Sequence, residues 1–263
     1  MRLLFIGDVV GQPGVQIVRR AVPVLRATRG IDVVVANVEN ASGGSGCTPG
    51  AYRSIRDAGV DLVTLGDHIY KKFDIAKILE SDERVCKPAN FPRSAPGREY
   101  ALTTLADGTS VAVVSLLGRT FMRPVDCPFA AIDRVLEVLH ERARIVIVDI
   151  HAEATADKYL IAHYLKGRVT AVLGTHTHVQ TADEQLFPGG TAFVCDVGMT
   201  GPYASILGRR VECVLTTATS FVPTMFEVAD GDVRLGGAIV EIDTSSGRAT
   251  GIERLMLRES DLA

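Results

Sequence analysis

Two histidines, His176 and His178, close the run Ala171-Val172-Leu173-Gly174-Thr175-His176-Thr177-His178. In an extended backbone, residues i and i+2 point to the same side. Both imidazoles are therefore expected to converge on one small volume at the end of a buried strand. Imidazole is a common ligand for zinc, iron, manganese and nickel. Taken alone, the pair reads equally well as two half-buried histidines bonded to backbone carbonyls. Four other apolar runs, however, end in residues that ligate or ionise: Asp8 after Gly7, Glu39-Asn40, Asp67-His68 after Gly66, and His151. Singly, each fits a turn or a cap. Their recurrence at one kind of position points to a metal site, because ligands of open α/β sheets bind beyond the carboxyl ends of the strands.

The donor count favours two ions. Three carboxylates (Asp8, Glu39, Asp67) and three or four histidines exceed the four ligands of one tetrahedral centre. Glu39 is suited to bridge cations about 3.5–4 Å apart, a spacing that serves an in-line displacement. Nitrogen and oxygen donors without thiolate suit two divalent or mixed-valence ions, iron or manganese first and zinc as the alternative. They suit copper(I), calcium and magnesium less well.

The elements that must position these residues follow α/β grammar. Runs at 2–6, 31–38, 61–65, 144–150 and 171–174 read as buried strands, and 15–28, 73–80, 130–142 and 155–165 as helices. Gly11-Gln12-Pro13-Gly14 reads as a turn, and Pro23 as a kink or break in the helix that Gly30 stops. Thr48 and Pro49 read as the N-cap and first residue of another helix. Residues 84–98, with Pro88, Pro92 and Pro96, suggest an extended connection. Residues 100–105 and 111–117, around Asp107-Gly108, suggest a hairpin. The short runs 225–228, 233–235, 238–242 and 252–257 are separated by Asp230-Gly231, Gly236-Gly237 and Ser245-Ser246-Gly247, which reads as antiparallel hairpins. Ser42-Gly43-Gly44-Ser45-Gly46 matches no phosphate-loop pattern and reads as a mobile loop beside the site. No repeat or boundary appears, so one domain over residues 1–263 is expected.

Composition narrows the class. The chain of 263 residues is 47% apolar, enough for a sizeable core, and its net charge of -3 carries no nucleic-acid footprint. Five scattered cysteines without a Cys-x-x-Cys pair argue against a disulfide framework or a thiolate zinc site and fit a reducing cytoplasm. No signal-peptide pattern opens the chain, and no apolar stretch approaches the roughly 20 residues that span a bilayer.

Gly7-Asp8, Glu39-Asn40, Gly66-Asp67-His68, His151 and Gly174-x-His176-x-His178 resemble, in order, the motifs of calcineurin-like metallophosphoesterases. Val38-Glu39-Asn40-Ala41, His151-Ala152-Glu153-Ala154-Thr155 and Asp196-Val197-Gly198-Met199-Thr200-Gly201-Pro202 resemble the YmdB-like branch of that group. The resemblance covers nearly the whole chain. It implies a four-layer α/β/β/α sandwich of two mixed sheets flanked by helices. It also implies hydrolysis of small phosphodiesters such as 2′,3′-cyclic AMP. One ion would be held by Asp8, Glu39, Asn40 and His178, and the other by Glu39, Asp67, His151 and His176. A metal-bridging hydroxide would attack, and His68 would protonate the leaving oxygen.

One position departs from the pattern: the family's usual Asn is here Asp67. Three carboxylates leave about +1 on two divalent ions, which a hydroxide cancels. Asp67 is therefore expected to tighten metal binding and weaken stabilisation of an anionic transition state, or to shift the preferred metal. Thr175, Thr177 and Glu153 are candidates to support the ligands or touch substrate. His140 and His163 read as surface or packing residues, and Cys195 as a buried small side chain. A metal-dependent amidohydrolase also uses His-x-His, but early in a barrel. A metal- and nucleotide-binding regulator without turnover is the other alternative, and self-association into a homo-oligomer is left open.

Overall fold

In this computed structural model, which describes residues 1–262, the chain opens with β1 (Arg2–Ile6), α1 (Gly11–Arg29), β2 (Val33–Asn37), α2 (Pro49–Asp57) and β3 (Leu62–Thr64). A 3₁₀ turn (Ile69–Lys71) and α3 (Ile75–Ser81) lead to the hairpin β4 (Ala101–Thr104) and β5 (Ser110–Leu117). Then come α4 (Pro128–Leu139), β6 (Ile145–His151), α5 (Thr155–Leu165), β7 (Ala171–Thr175), β8 (Gln185–Phe187) and β9 (Thr191–Val194). The chain ends with β10 (Gly201–Pro202), α6 (Val211–Ser220), β11 (Val233–Asp243), β12 (Arg248–Arg258) and a 3₁₀ turn (Glu259–Leu262).

Two mixed sheets result. One runs β10-β11-β1-β2-β3, with β12 also paired to β11; the other runs β4-β5-β6-β7-β9-β8. The helix-linked strands β1, β2 and β3 are parallel, as are β5, β6, β7 and β9, whereas β11, β4 and β8 join antiparallel. Side chains alternate faces along a strand, and here each face has its own core. Leu3, Phe5, Val33 and Val35 meet Val113, Ile147 and Leu173 between the sheets. Leu4, Ile6 and Val34 pack outward on Val15, Val18 and Val22 of α1 and Ile55 of α2. Val148, Ile150 and Val172 pack outward on Ile132 and Val135 of α4 and Ile161 of α5. Burial on both faces explains the unbroken apolar runs. The layers are helix, sheet, sheet, helix, as the motif resemblance implies, and two open sheets exclude the barrel of an amidohydrolase.

Several local expectations change. Residues 11–14 are not a turn, because α1 begins at Gly11, and Pro13 sits in its first turn, where no N–H is needed. Pro23 neither ends nor divides α1; it and Arg19, whose carbonyl it leaves without a helical partner, are exposed to water. The helix stops at Gly30, left-handed at φ 61°. Gly236-Gly237 does not separate two strands but lies within β11. A Cβ on Gly237 would stand 2.4 Å from Phe5 O, so these glycines let backbones approach. Residues 225–228 form no strand; Val228 makes only an isolated bridge to Arg209. Helix α6 was not anticipated.

Candidate metal centre

The carboxyl ends of β1, β2 and β3 in one sheet and of β6 and β7 in the other meet at one cleft of about 260 Å³, bordered by Glu39, Asn40, His68, His176 and His178. A larger cleft, about 740 Å³, lies at the amino ends of β5, β6 and β7, away from these residues. Gly66 stands where a Cβ would be 2.3 Å from His151 Nε2 and 2.4 Å from Glu39 Oε2. Only glycine lets β3 end this close to the site.

Glu39, Asp67, His151 and His176 each present a ligand atom, all within 4.8 Å of one another. His151 Nε2 lies 3.3 Å from Glu39 Oε1, 3.2 Å from Asp67 Oδ1 and 3.0 Å from His176 Nδ1. Asp8, Asn40 and His178 gather beside them. His178 Nε2 is 3.8 Å from Asp8 Oδ1 and 3.4 Å from Asn40 Nδ2, and Asn40 Nδ2 donates to Glu39 Oε1 at 3.2 Å. His68 donates its backbone N–H to Glu39 Oε2 at 3.0 Å, and its Nδ1 meets Asn40 Oδ1 at 2.7 Å.

The two histidines of the His-x-His pair do not share one strand face. Strand β7 ends at Thr175, and His176 and His178 follow with φ of 94° and 63°, so the i, i+2 rule does not reach them. Each imidazole therefore joins a different group. Such left-handed conformations cost of order 1–3 kcal/mol apiece away from glycine and persist only where surroundings impose them. Here His176 N–H donates to Asp8 Oδ2 at 3.0 Å, and Met199 N–H donates to His178 O at 3.2 Å. Between them, Thr177 donates its N–H and hydroxyl to Asp196 Oδ2 at 3.1 and 2.6 Å. Asp196 in turn pairs with Lys158 Nζ at 2.7 Å, both side chains fully buried. Thr177 thus anchors the turn.

Ring orientations are set from behind. Thr175 Oγ1 donates its one proton to Asp149 Oδ1 at 2.6 Å, so its 2.8 Å contact with His151 Nδ1 runs from the ring N–H to the hydroxyl oxygen. Nε2 is left facing Glu39 and Asp67. Asp149 also accepts from Asn37 Nδ2 at 3.0 Å and Thr64 Oγ1 at 2.5 Å. His178 Nδ1 donates to Leu207 O at 3.2 Å, and His176 Nε2 lies 3.2 Å from Glu153 Oε2.

Charge is shared unevenly. Burial, with Glu39 and Asp196 nearby, pushes the Asp8 carboxyl up to about 7 against the opposing charge of His151. Burial would also raise Glu39 and Asp67, but the charge and hydrogen bonding of His151 hold both below the ordinary carboxylate range. Conversely, burial would lower His151, yet the Glu39 and Asp67 carboxylates raise it well above an ordinary histidine. Burial lowers His176 and His178. Asp8 Oδ1 is buried without a hydrogen-bond partner.

All seven sequence-predicted ligands and His68 are thus brought together in one cluster, of which Glu39, Asn40, His68, His176 and His178 border the cleft. His140 and His163 are exposed on α4's end and α5, and Cys195 is buried, as expected. The loop 42–46 is fastened, not free: Arg209 donates to the carbonyls of Gly43 and Gly44, and Ser42 N–H bonds Gly46 O at 2.9 Å. Sequence reading missed Asp149, Asn37, Thr64, Lys158 and Arg209. Asp149 and Lys158 did leave a signal, a lone charged residue within an otherwise apolar face.

The model of the family described as YmdB-like protein matches residues 4–255. The chain belongs to the YmdB-like family. It is 40% identical over 262 residues to the 2′,3′-cyclic-nucleotide 2′-phosphodiesterase of Bacillus subtilis strain 168, an alignment covering 100% of this chain and 99% of the relative. Among solved structures, a hypothetical protein from Thermus thermophilus is 43% identical with a TM-score of 0.92, covering 98% of this chain and 100% of that one. A protein described as a novel phosphatase, from Mycoplasma pneumoniae, is 28% identical with a TM-score of 0.90, covering 98% and 93%. The YmdB-like sandwich therefore brings strand ends from both sheets to one cleft.

Proposed function

We propose that this protein is a dinuclear metal-dependent phosphodiesterase for small phosphodiesters, with 2′,3′-cyclic nucleotides such as 2′,3′-cyclic AMP as its substrate class. It would work in the cytoplasm as one domain over residues 1–263. The observation that carries this reading is Glu39, whose buried carboxylate touches both donor groups, His151 on one side and Asn40 on the other. The name of the Bacillus subtilis relative supports the substrate class, and unpaired cysteines support the compartment. Among the described residues no helix is long and apolar enough to cross a membrane.

The residues fit the ions. A buried carboxylate oxygen without a donor, as at Asp8 Oδ1, calls for a cation. Asp8, Glu39, Asn40 and His178 would hold one ion, and Glu39, Asp67, His151 and His176 the other, with iron or manganese preferred and zinc as the alternative. Bound ions would neutralise phosphate charge and make a water acidic enough to ionise near neutral pH.

His68 would supply the leaving-group proton. Because Asn40 Oδ1 accepts from its Nδ1 at 2.7 Å, the protonated ring keeps Nε2–H for transfer. The neutral ring left behind retains its bond to Asn40. The second lone pair of that amide oxygen stays free for a ligand role.

The test pairs elemental analysis of purified protein with hydrolysis of 2′,3′-cyclic AMP and a chromogenic phosphodiester. Two metals per chain with turnover are expected, and His68→Ala should keep both metals while losing about 10²–10⁴-fold in kcat. Full occupancy without turnover in the wild type would instead favour the regulator, and absence of metal under every reconstitution would reject the site.

A further inference from the structure

One wall of the metal-type cleft comes from a tight turn, residues 206–209, between β10 and α6. Ile206 N–H donates to Arg209 O and Arg209 N–H to Ile206 O, both at 2.9 Å. The two central residues, Leu207 and Gly208, have φ of 50° and 91°. Two-residue turns with both centres at positive φ favour Asn-Gly, because a bulky apolar residue is strained there. Leu207 takes the position nonetheless, with half of its surface exposed. The turn is gripped on both sides. His178 Nδ1 donates to Leu207 O at 3.2 Å, and Arg209 donates to Phe226 O at 2.8 Å and to the carbonyls of Gly43 and Gly44. Arg209 lies so close to Gly44 that a Cβ there would stand 2.6 Å from its Cζ. The turn and the loop 42–46 thus form one fixed rim. Among the described residues bordering the cleft, Leu207 is the only apolar side chain; beside Gly44, the others are polar or charged.

We propose that Leu207 is a specificity-determining residue, whose side chain seats the nucleoside of a nucleotide phosphodiester. This inference deepens the phosphodiesterase reading and rests on it for the position of the phosphate. The ligand-type residues around Glu39 and His178 suit ions and phosphate oxygens, but they offer nothing to the apolar face of a base. The cleft, about 260 Å³, falls below the roughly 300–1,000 Å³ of sites that enclose an organic ligand. A nucleoside joined to a phosphate in the cleft must therefore rest on the rim, where Leu207 offers its exposed methyl groups. The bond from His178 to Leu207 O holds that residue at a set place relative to a metal-type ligand. Strained conformations away from glycine cluster at ligand sites, where surroundings impose them.

The test compares kcat/KM of the metal-loaded full chain on 2′,3′-cyclic AMP and on ethylene phosphate, the same five-membered cyclic diester without a nucleoside. Leu207→Gly and Leu207→Asn suit the left-handed backbone, so both should fold and keep the wild-type metal content. The preference for 2′,3′-cyclic AMP should fall at least about tenfold in each, and Leu207→Met should restore it. Calorimetric titration supplies a readout without turnover. The affinity for adenosine 3′-monophosphate relative to inorganic phosphate should fall by a similar factor in the same two variants. An unchanged ratio in both measurements overturns the proposal, as does a wild type that binds the nucleotide no better than phosphate. Nucleotide binding that depends on Leu207 in a wild type without turnover would reject the phosphodiesterase reading and leave this inference standing. Should the variants misfold, hydrogen–deuterium exchange of the wild type decides. Amides of residues 206–209 should exchange at least about tenfold more slowly with the nucleotide than with phosphate, and equal exchange overturns the proposal.

Discussion

Asp67 brings a third carboxylate, with Asp8 and Glu39, to a cluster whose charge decides how firmly cations and anions are held. His151 keeps Asp67 ionised far below neutral pH, so its full charge counts against that of the ions. Replacing it by a neutral amide should weaken metal retention and raise turnover at saturating metal, since about one more positive charge would face the phosphodiester. Asp67→Asn, compared with the wild type for metal content and steady-state rates, tests both halves; unchanged metal content, preference and turnover would reject the idea. Protons give a second handle. Without metal, burial holds a proton on Asp8 up to about pH 7, and the Glu39 and Asp67 carboxylates hold one on His151 beyond that. Ligation needs both groups deprotonated, so metal uptake should release protons and affinity should climb as pH rises from about 5 through 7 and above. Calorimetric titrations in buffers of different ionisation enthalpy would reveal the release; a heat independent of buffer would contradict it.

The turn after β7 shows how an element can be held in a costly shape. His176 and His178 take left-handed conformations because Asp8, Asp196 and the backbone around Met199 grip the chain on both sides. The grip depends on the fully buried Lys158–Asp196 pair, which bridges α5 to the segment after β9. Removing one member of such a pair leaves an uncompensated buried charge and costs about 3–5 kcal/mol. Lys158→Met should therefore lose that much stability in urea unfolding and also bind metal more weakly. The double change Lys158→Met, Asp196→Asn should recover part of the stability but not the metal affinity, because Thr177 loses a carboxylate acceptor.

Across the whole molecule, the two sheets meet through the core around Phe5, Val35, Val113 and Ile147, and then again at the cleft. One sheet's strand ends supply Asp8, Glu39, Asn40, Asp67 and His68; the other's supply His151, His176 and His178. Ions bound there would staple the sheets and stabilise the folded state by mass action. At a free metal concentration of 100 times Kd the gain is about 2.7 kcal/mol per site. Removing both ions by chelation should then lower Tm by roughly 10–20 °C for a chain of this size. Scanning calorimetry with and without chelator reads this directly; an unchanged Tm would mean that the donors do not bind metal across the sheets.

The ligand-type residues and their places at strand ends were legible in the sequence, because a strand buried on both faces leaves an apolar run whose polar end stands out. The α/β alternation, the early hairpin and the family motifs came from the same contrast. Other features depended on contacts between distant segments. The left-handed conformations at His176 and His178 exist only because Asp8 and Asp196 close on that turn, so sequence spacing alone placed both rings on one face wrongly. Gly236-Gly237 reads as a break until Phe5 is seen pressing against it. Pro13 and Pro23 read as interruptions until α1 places one in its first turn and the other in water. Asp149 and Asn37, 112 residues apart, gain their partnership from sheet packing. Local pattern determined which side chains were available for chemistry; tertiary packing decided their orientation, their protonation and which of the two donor groups each one joins.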